Sequence, residues 1–332
     1  MSIPVLLTRK KILAVAVFAL LFLLPPVFQA TGHEYLVSLF TRIIIYGLAA
    51  VSLDLILGYG GMVSLGHAAF FGIGAYVTAI FSYHSFQSSP VLNWPVQIPG
   101  SENCIVLMGL AFLVATFFGL VTGSICLRTR GMHFIMITLA FAQMFYYFFV
   151  SMEAYGGGDG LSLYGRNSLF GIDLGSDFFF YYLCLILLTI FSFLAHRLVQ
   201  SRFGLVIKGC RENETRLESL GFAIYRHKLF CYGFAAGIAG IAGALMANQS
   251  EFVSPGLMHW TKSGEILVMV LLGGTGTIIG PILGAATLIL MEETLAMYTE
   301  HWMIILGPFL ILVVLFAKKG MYGLLTGQET KS

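Results

Sequence analysis

The sequence predicts an all-α integral membrane protein, a polytopic helical bundle of about ten transmembrane helices with both termini cytoplasmic. Three observations carry that reading. The 332 residues are 58% hydrophobic and only 10% charged, with 38 glycines and a mean hydropathy of +0.88, a balance foreign to soluble domains. Ten stretches are apolar for long enough to cross about 30 Å of hydrocarbon, which takes about 20 residues. With ten spans, fifteen of the 18 Lys and Arg fall on one side of the membrane, and cations are retained on the cytoplasmic side.

The stretches run over 12–31, 34–57, 62–83, 104–127, 132–152, 177–199, 229–249, 263–279, 281–298 and 301–317. The first follows Arg9-Lys10-Lys11 as a signal peptide would. Its apolar run is too long, however, and no small-residue cleavage site follows, so it reads as an uncleaved helix. The third and seventh carry small residues four apart, among them Ala68 with Gly72 and Gly233 with Gly237. Such residues let helix backbones approach closely in lipid; close packing and a path lined by shifting helices use the same residues. The fifth span closes on Phe145 to Phe149 and the sixth opens on Phe178 to Tyr182, while Tyr298 and Trp302 flank the last outer turn. These rings suit the headgroup level. The outer loop Tyr155-Gly-Gly-Gly-Asp-Gly160 reads as flexible and acidic.

The eighth and ninth spans are joined by Leu272-Gly-Gly-Thr-Gly-Thr-Ile-Ile-Gly-Pro281 rather than by a polar loop. A continuous helix is disfavoured there, since Gly costs about 1 kcal/mol and Pro about 3 kcal/mol in a helix interior. Two readings stand: a tight cytoplasmic turn, or irregular backbone buried in protein or lining water.

The cytoplasmic cations are Arg9, Lys10, Lys11, Arg128, Arg130, Arg197, Lys318, Lys319, Lys331 and six in one island, SRFGLVIKGCRENETRLESLGFAIYRHK at 201–228. The island also holds Glu212, Glu214 and Glu218. Topology explains its cations, not its anions. From Arg211 to Leu220 it can form a short helix, with Glu212 and Arg216 as an i,i+4 pair and Gly221 ending it. Leu217, Leu220 and Ile224 share one apolar face. Such a helix either lies on its own membrane domain or fits a groove on a soluble partner.

Several function classes are excluded or weakened. There is no H-E-x-x-H, no G-x-S-x-G and no paired carboxylates in an aqueous cleft, so no catalytic residues are assigned and the chain reads as no enzyme. No phosphate-cradling G-x-x-x-x-G-K-[ST] occurs, so any ATP must be handled by another subunit. The five cysteines occur singly and read as small buried hydrophobes, with no metal site and no cofactor bound by this chain. A net charge of +2 implies no nucleic-acid partner. Ionisable groups inside the spans are Arg42, Asp54, His67, Glu265, Glu292 and Glu293, mostly near span ends; Asp54 reads as hydrogen-bonded locally, and nothing resembles a proton relay.

GYGGMVSLGHAAFFGIGAYVTA, CLRTRGMHFIMITLAFAQMFYY, GGGDGLSL and the island SRFGLVIKGCRENETRLESLGF occur in this order. They are followed by FVSPGLMHWTKSGEILVMVLLGGTGTIIGPILGA and TEHWMIILGPFLILVVLFAKKGMYGLL. Together they resemble the LivM-type permeases of branched-chain amino acid ABC importers, over about residues 40 to 325. The resemblance implies a single permease domain over 1–332, type II ABC importer permease-like, in the bacterial inner membrane. It implies a second, LivH-like permease, two cytoplasmic ATP-binding subunits that hold ATP and Mg, and a periplasmic substrate-binding protein. It makes the island a coupling loop, with Arg211, Glu212, Glu214, Arg216, Leu217, Leu220 and Gly221 as the coupling helix that docks on an ATPase. It sets Gly66, His67, Gly72, Gly273, Gly274, Gly276, Gly280 and Pro281 near the translocation path, with packing and substrate contact both open for His67. Substrate remains open too: relatives with the same motifs serve branched-chain amino acids, urea, amides or aromatic acids. A stand-alone secondary transporter or channel is the competing class; the scarcity of central acidic residues argues against it.

Overall fold

The structure, a computed structural model, describes residues 3–32, 34–92, 98–168, 175–299, 301, 304–305, 307–308 and 320–326. It is helical almost throughout. Helix α1 spans Ile3–Thr31, and α2 spans Glu34–Asp54 and continues as one wide π-turn, Leu55–Tyr59. After an irregular stretch comes α3 (His67–Phe86), followed by a small hairpin of β1 (Pro90–Leu92) and β2 (Ile98–Pro99). Helices α4 (Cys104–Cys126), α5 (Met132–Val150) and α6 (Asp177–Gln200) lead to the charged island. The island forms α7 (Arg202–Glu212) and α8 (Glu214–Ser219) before α9 (Ile224–Ser250) returns to the bundle. Helices α10 (Trp260–Gly273), α11 (Gly280–Tyr298) and α12 (Gly320–Thr326) complete the described chain.

Among the described residues seven helices are long and apolar enough to cross a membrane: α1, α2 with its π-turn, α4, α5, α6, α9 and α11. Two expected spans differ. At 14 residues, α10 is about 21 Å long at 1.5 Å per residue, short of the hydrocarbon thickness. It also stops at Gly273, so the expected 263–279 helix ends six residues early and the glycine run is a turn. Helix α3 starts at His67 rather than 62 and is encased by protein, burying thirteen residues from His67 to Ser82. The last expected span, 301–317, with Trp302, lies almost wholly outside the described residues, as do Lys318, Lys319 and Lys331.

The centre of the bundle is α2, α3 and α9. Of the span-forming windows of α2 and α9, 78% is buried, against 11% for α1 and 22% for α5. The small-residue stripes explain how α3 and α9 meet. A methyl on Gly74 would run into the Gly240 carbonyl, and one on Gly243 into the Phe71 carbonyl. Backbones this close leave room for no side chain, and the contact area comes from van der Waals packing. Peripheral helices instead turn Val15, Phe22, Phe117, Met136, Phe148 and Ile186 outward, fully consistent with a lipid-facing surface.

Where α5 and α9 end, the loop expected to be flexible is pinned. Strand β3 (Leu161–Ser162) pairs antiparallel with β4 (Phe252–Val253), joining the chain after α5 to the end of α9. Arg166 ion-pairs with Asp177 at 2.5 Å, and Asn167 N donates to Asn248 Oδ1 at 2.9 Å. Composition shows four glycines and an aspartate near one another; it does not show these long-range partners.

Candidate functional site at the charged island

Two breaks in helical structure meet at one end of the bundle. The first is the π-turn Leu55–Tyr59 that ends α2; insertions of this kind break the regular hydrogen-bond ladder and recur at functional positions. The second is the turn from Gly274 to Ile279 between α10 and α11, with Pro281 in the first turn of α11, where its missing N–H costs nothing.

Asp54 joins the two breaks. Its side chain is buried, and Oδ1 accepts a hydrogen bond from Gly276 N at 2.8 Å. The expected local hydrogen bond is therefore replaced by a bond across 222 positions of sequence. Two glycines make this possible. Gly276 holds φ +75°, and a side chain at Gly58 would collide with both the Asp54 carboxylate and Gly276 N. A buried carboxylate is costly without donors, and here the turn's backbone supplies them.

Arg211 closes the arrangement from the side of the island. From the end of α7 its Nη1 donates to the Gly58 carbonyl, in the π-turn itself. Lys208, one turn earlier, holds its Nζ 5.5 Å from the Tyr59 ring centroid. Side chains of α7 thus link the island to the π-turn, and Asp54 links the π-turn to the glycine turn. Beside the Gly276–Thr277 turn lies a cavity of about 590 Å³, bordered by Phe18, Tyr59, His196, Lys208 and Tyr322.

The island itself differs from the expected single helix over Arg211–Leu220. Asn213 interrupts it, with extended backbone at φ −157°, and caps α8 by accepting from Arg216 N at 3.0 Å. Glu212 and Arg216 consequently sit on different helices and do not form the expected pair. The C-terminal end is as read: Gly221, at φ +82°, follows α8, with Gly221 N bonded to Glu218 O and Phe222 N to Leu217 O, a Schellman closure. The apolar face is split. Leu217 packs on Val206, Cys210 and Ile224, whereas Leu220 is 66% exposed and Phe222 44%.

The anions of the island are also divided. Glu214 pairs with Lys228 at 2.6 Å and with Arg130 at 3.4 Å, and Glu218 pairs with Arg130 at 2.9 Å. Arg130 comes from the α4–α5 loop and Lys228 from α9, so these carboxylates strap α8 to its own membrane domain. Glu212, Arg216 and Leu220 remain at the surface.

The other residues singled out in the sequence are packed at crossings. Gly66 is buried at the start of α3, and His67 Nε2 lies 2.7 Å from Ser52 Oγ. The first amides of α3 are taken by hydroxyls of neighbouring helices: Leu65 N donates to Thr138 Oγ1 and Ala68 N to Ser263 Oγ. Gly72 lies against Met258, and Gly273 against Gly280 and Pro281. Gly274 accommodates Gly320 at the start of α12.

Comparison with known proteins follows the same span of chain. Residues 35–315 match the family described as branched-chain amino acid transport system / permease component. Two curated relatives are the high-affinity branched-chain amino acid transport system permease proteins LivM of Salmonella typhimurium (strain LT2) and Escherichia coli (strain K12). Each is 28% identical over 330 residues, covering 91% of this chain and 74% of the relative. No solved structure matches the chain.

Proposed function

Because the chain belongs to the branched-chain amino acid transport system / permease component family, we propose that it is the transmembrane permease subunit of an ABC importer for branched-chain amino acids. In this reading it crosses the bacterial inner membrane about ten times, with both termini cytoplasmic and a type II importer-like arrangement. It pairs with a LivH-like permease, two ATP-binding subunits and a periplasmic binding protein, and it hydrolyses nothing itself.

The observation that supports this best is the junction of island, π-turn and glycine turn. Leu220 and Phe222 offer an exposed apolar edge at the tip of α8, suited to a groove on an ATPase subunit. Arg216 and Glu212 form the charged rim. Glu214, Glu218 and Leu217 act differently from the rest of the proposed coupling element, as clamps holding α8 on the permease. A displacement imposed at α8 passes to α7, then through Arg211 to the Gly58 carbonyl and through Asp54 to the Gly276 turn. Those two breaks are where α2 and α10–α11 can change direction without unwinding a full helix, and the cavity beside Thr277 gives the turn space. His67 and Gly72 hold the α2–α3–α10 crossing closed on the cytoplasmic half of the route.

The test is ATP-driven uptake of leucine into proteoliposomes carrying the assembled complex, with and without the ATP-binding subunits. Uptake that persists without those subunits refutes the importer reading.

A further inference from the structure

Three of the ionisable groups expected in the spans, Arg42, Glu265 and Glu292, lie around Tyr46 together with Lys262. On α2, Tyr35, Ser38, Arg42 and Tyr46 follow one another at helical spacing on one stripe. Arg42 lies about 12 Å and Tyr46 about 18 Å from the start of α2 at 1.5 Å per residue, which is the middle of that helix. Glu292 on α11 is about 9 Å from its helix end by the same rise. Lys262 and Glu265 lie in the first turns of α10, just after Met258, which packs against Gly72 of α3. Arg42, Lys262, Glu265 and Glu292 all lie within electrostatic reach of Tyr46. Three helices therefore bring two cations and two anions to one depth of the bundle.

These groups are only partly covered. The side chains of Arg42 and Glu292 are 34% and 30% exposed, and those of Lys262 and Glu265 are 30% and 42% exposed. Charge at this depth is not stable against hydrocarbon, so the surface they share borders water or protein. Their pairing is uneven. Lys262 Nζ donates to Glu265 Oε2 at 2.7 Å, a closed pair. Glu293 is taken by the Tyr35 hydroxyl. Arg42, by contrast, meets Glu292 only at 3.8 Å, beyond hydrogen-bond length, and its buried Nε has no partner among the described residues. A guanidinium presents five donors in a planar fork suited to a carboxylate, and here it rests over the Tyr46 ring at 5.9 Å with its fork unused.

We propose that Arg42 and Glu292 form a zwitterion site on the translocation route. The α-carboxylate of a passing amino acid takes the Arg42 fork, and its α-ammonium takes the Glu292 carboxylate. Substrate thereby replaces a loose ion pair by two close ones, while Lys262–Glu265 stays paired alongside. The proposal rests on the transport reading above and narrows it to substrates carrying both charges. A neutral amide or urea gains nothing from either group, and an aromatic acid without an amine gains only from Arg42.

The test uses the complete importer in proteoliposomes, with ATP enclosed and leucine-loaded binding protein outside. R42Q and E292Q are each expected to lower the maximal leucine uptake rate about tenfold or more, as loss of a hydrogen bond to a charged group does. The KM for loaded binding protein is expected to stay within about twofold of wild type, since docking lies elsewhere. The double variant R42Q/E292Q, which keeps shape and can hydrogen-bond as a neutral pair, is expected to stay impaired. Should R42Q fail to assemble, E292Q carries the test. Wild-type-like uptake by both single variants, or rescue in the double variant, overturns the proposal and marks a structural pair. Absence of leucine uptake by the wild-type complex would instead refute the transport reading.

Discussion

Replacing Asp54 by Ala removes the acceptor that holds the glycine turn to the end of α2. The Gly276 N–H, bonded to Oδ1 at 2.8 Å, loses its partner. An orphaned donor costs about 1–3 kcal/mol when water cannot replace the acceptor. The turn borders a cavity, which admits solvent, so the lower half of that range applies, about 1–2 kcal/mol. Asp54→Asn keeps an oxygen in the same place and loses only the charge assistance, for about 1 kcal/mol. If that energy is what ties ATPase movement to the membrane turn, coupling falls by up to about thirtyfold in Asp54→Ala and by up to about fivefold in Asp54→Asn. The assay is leucine transported per ATP hydrolysed in proteoliposomes, with co-purification of the ATP-binding subunits scored in parallel. The expected order is wild type, Asp54→Asn, Asp54→Ala, with subunits retained in all three. Equal ratios for the three proteins would refute the reasoning, as would loss of subunits in step with loss of coupling.

Other outcomes follow from the same geometry. Leu220→Glu and Phe222→Glu place charge on the exposed edge of α8; both are expected to insert normally and to lose the ATP-binding subunits on purification. Leu217→Ala acts inside the Val206–Cys210–Ile224 cluster and is expected to lower thermal stability, by about 2 kcal/mol for a half-exposed site, while Glu212→Gln leaves stability unchanged. Glu214→Gln weakens two ion pairs at once and is expected to loosen α8, seen as faster proteolysis after Arg216. Burial raises the Cys210 thiol above its ordinary value, outweighing the nearby Lys228. The thiolate is thus scarcer at any given pH, so alkylation of a variant retaining only Cys210 is expected to be slow at neutral pH. Its rate should still be climbing where an exposed cysteine has levelled off; an ordinary pH profile would contradict the burial.

What the sequence discloses here depends on the range of each interaction. Apolar runs, cation placement and the Gly221 cap are local signals, and they recover the membrane class, the helical character and the end of α8. The interruption at Asn213 is also local, an N-cap residue three positions ahead of a bonded amide, and it lies in plain view within the expected helix. The stretch 62–83 that yields α3 is apolar enough to be read as a span, but hydropathy does not tell that its neighbours are protein rather than lipid; its thirteen buried residues from His67 to Ser82 are set by packing partners distant in sequence. The bonds Asp54–Gly276, Arg211–Gly58 and Arg130–Glu218 join residues 222, 153 and 88 positions apart, and periodicity carries no information about them.

The split of the island follows from the same distinction. A solvated loop needs cations to stay cytoplasmic, but carboxylates placed among them only shorten its reach unless they bind something. Glu214 and Glu218 bind the permease itself, through Lys228 and Arg130. That strapping makes α8 a firm platform rather than a flexible tether. A platform transmits displacement only if its far end is anchored, and Arg211 on Gly58 is that anchor. The same seven-residue run therefore holds parts with opposite requirements: Leu217 and Glu214 must stay on the membrane domain, and Leu220 must leave it. A substitution that frees α8 and one that blunts its tip should both abolish transport, but only the second should release the ATP-binding subunits.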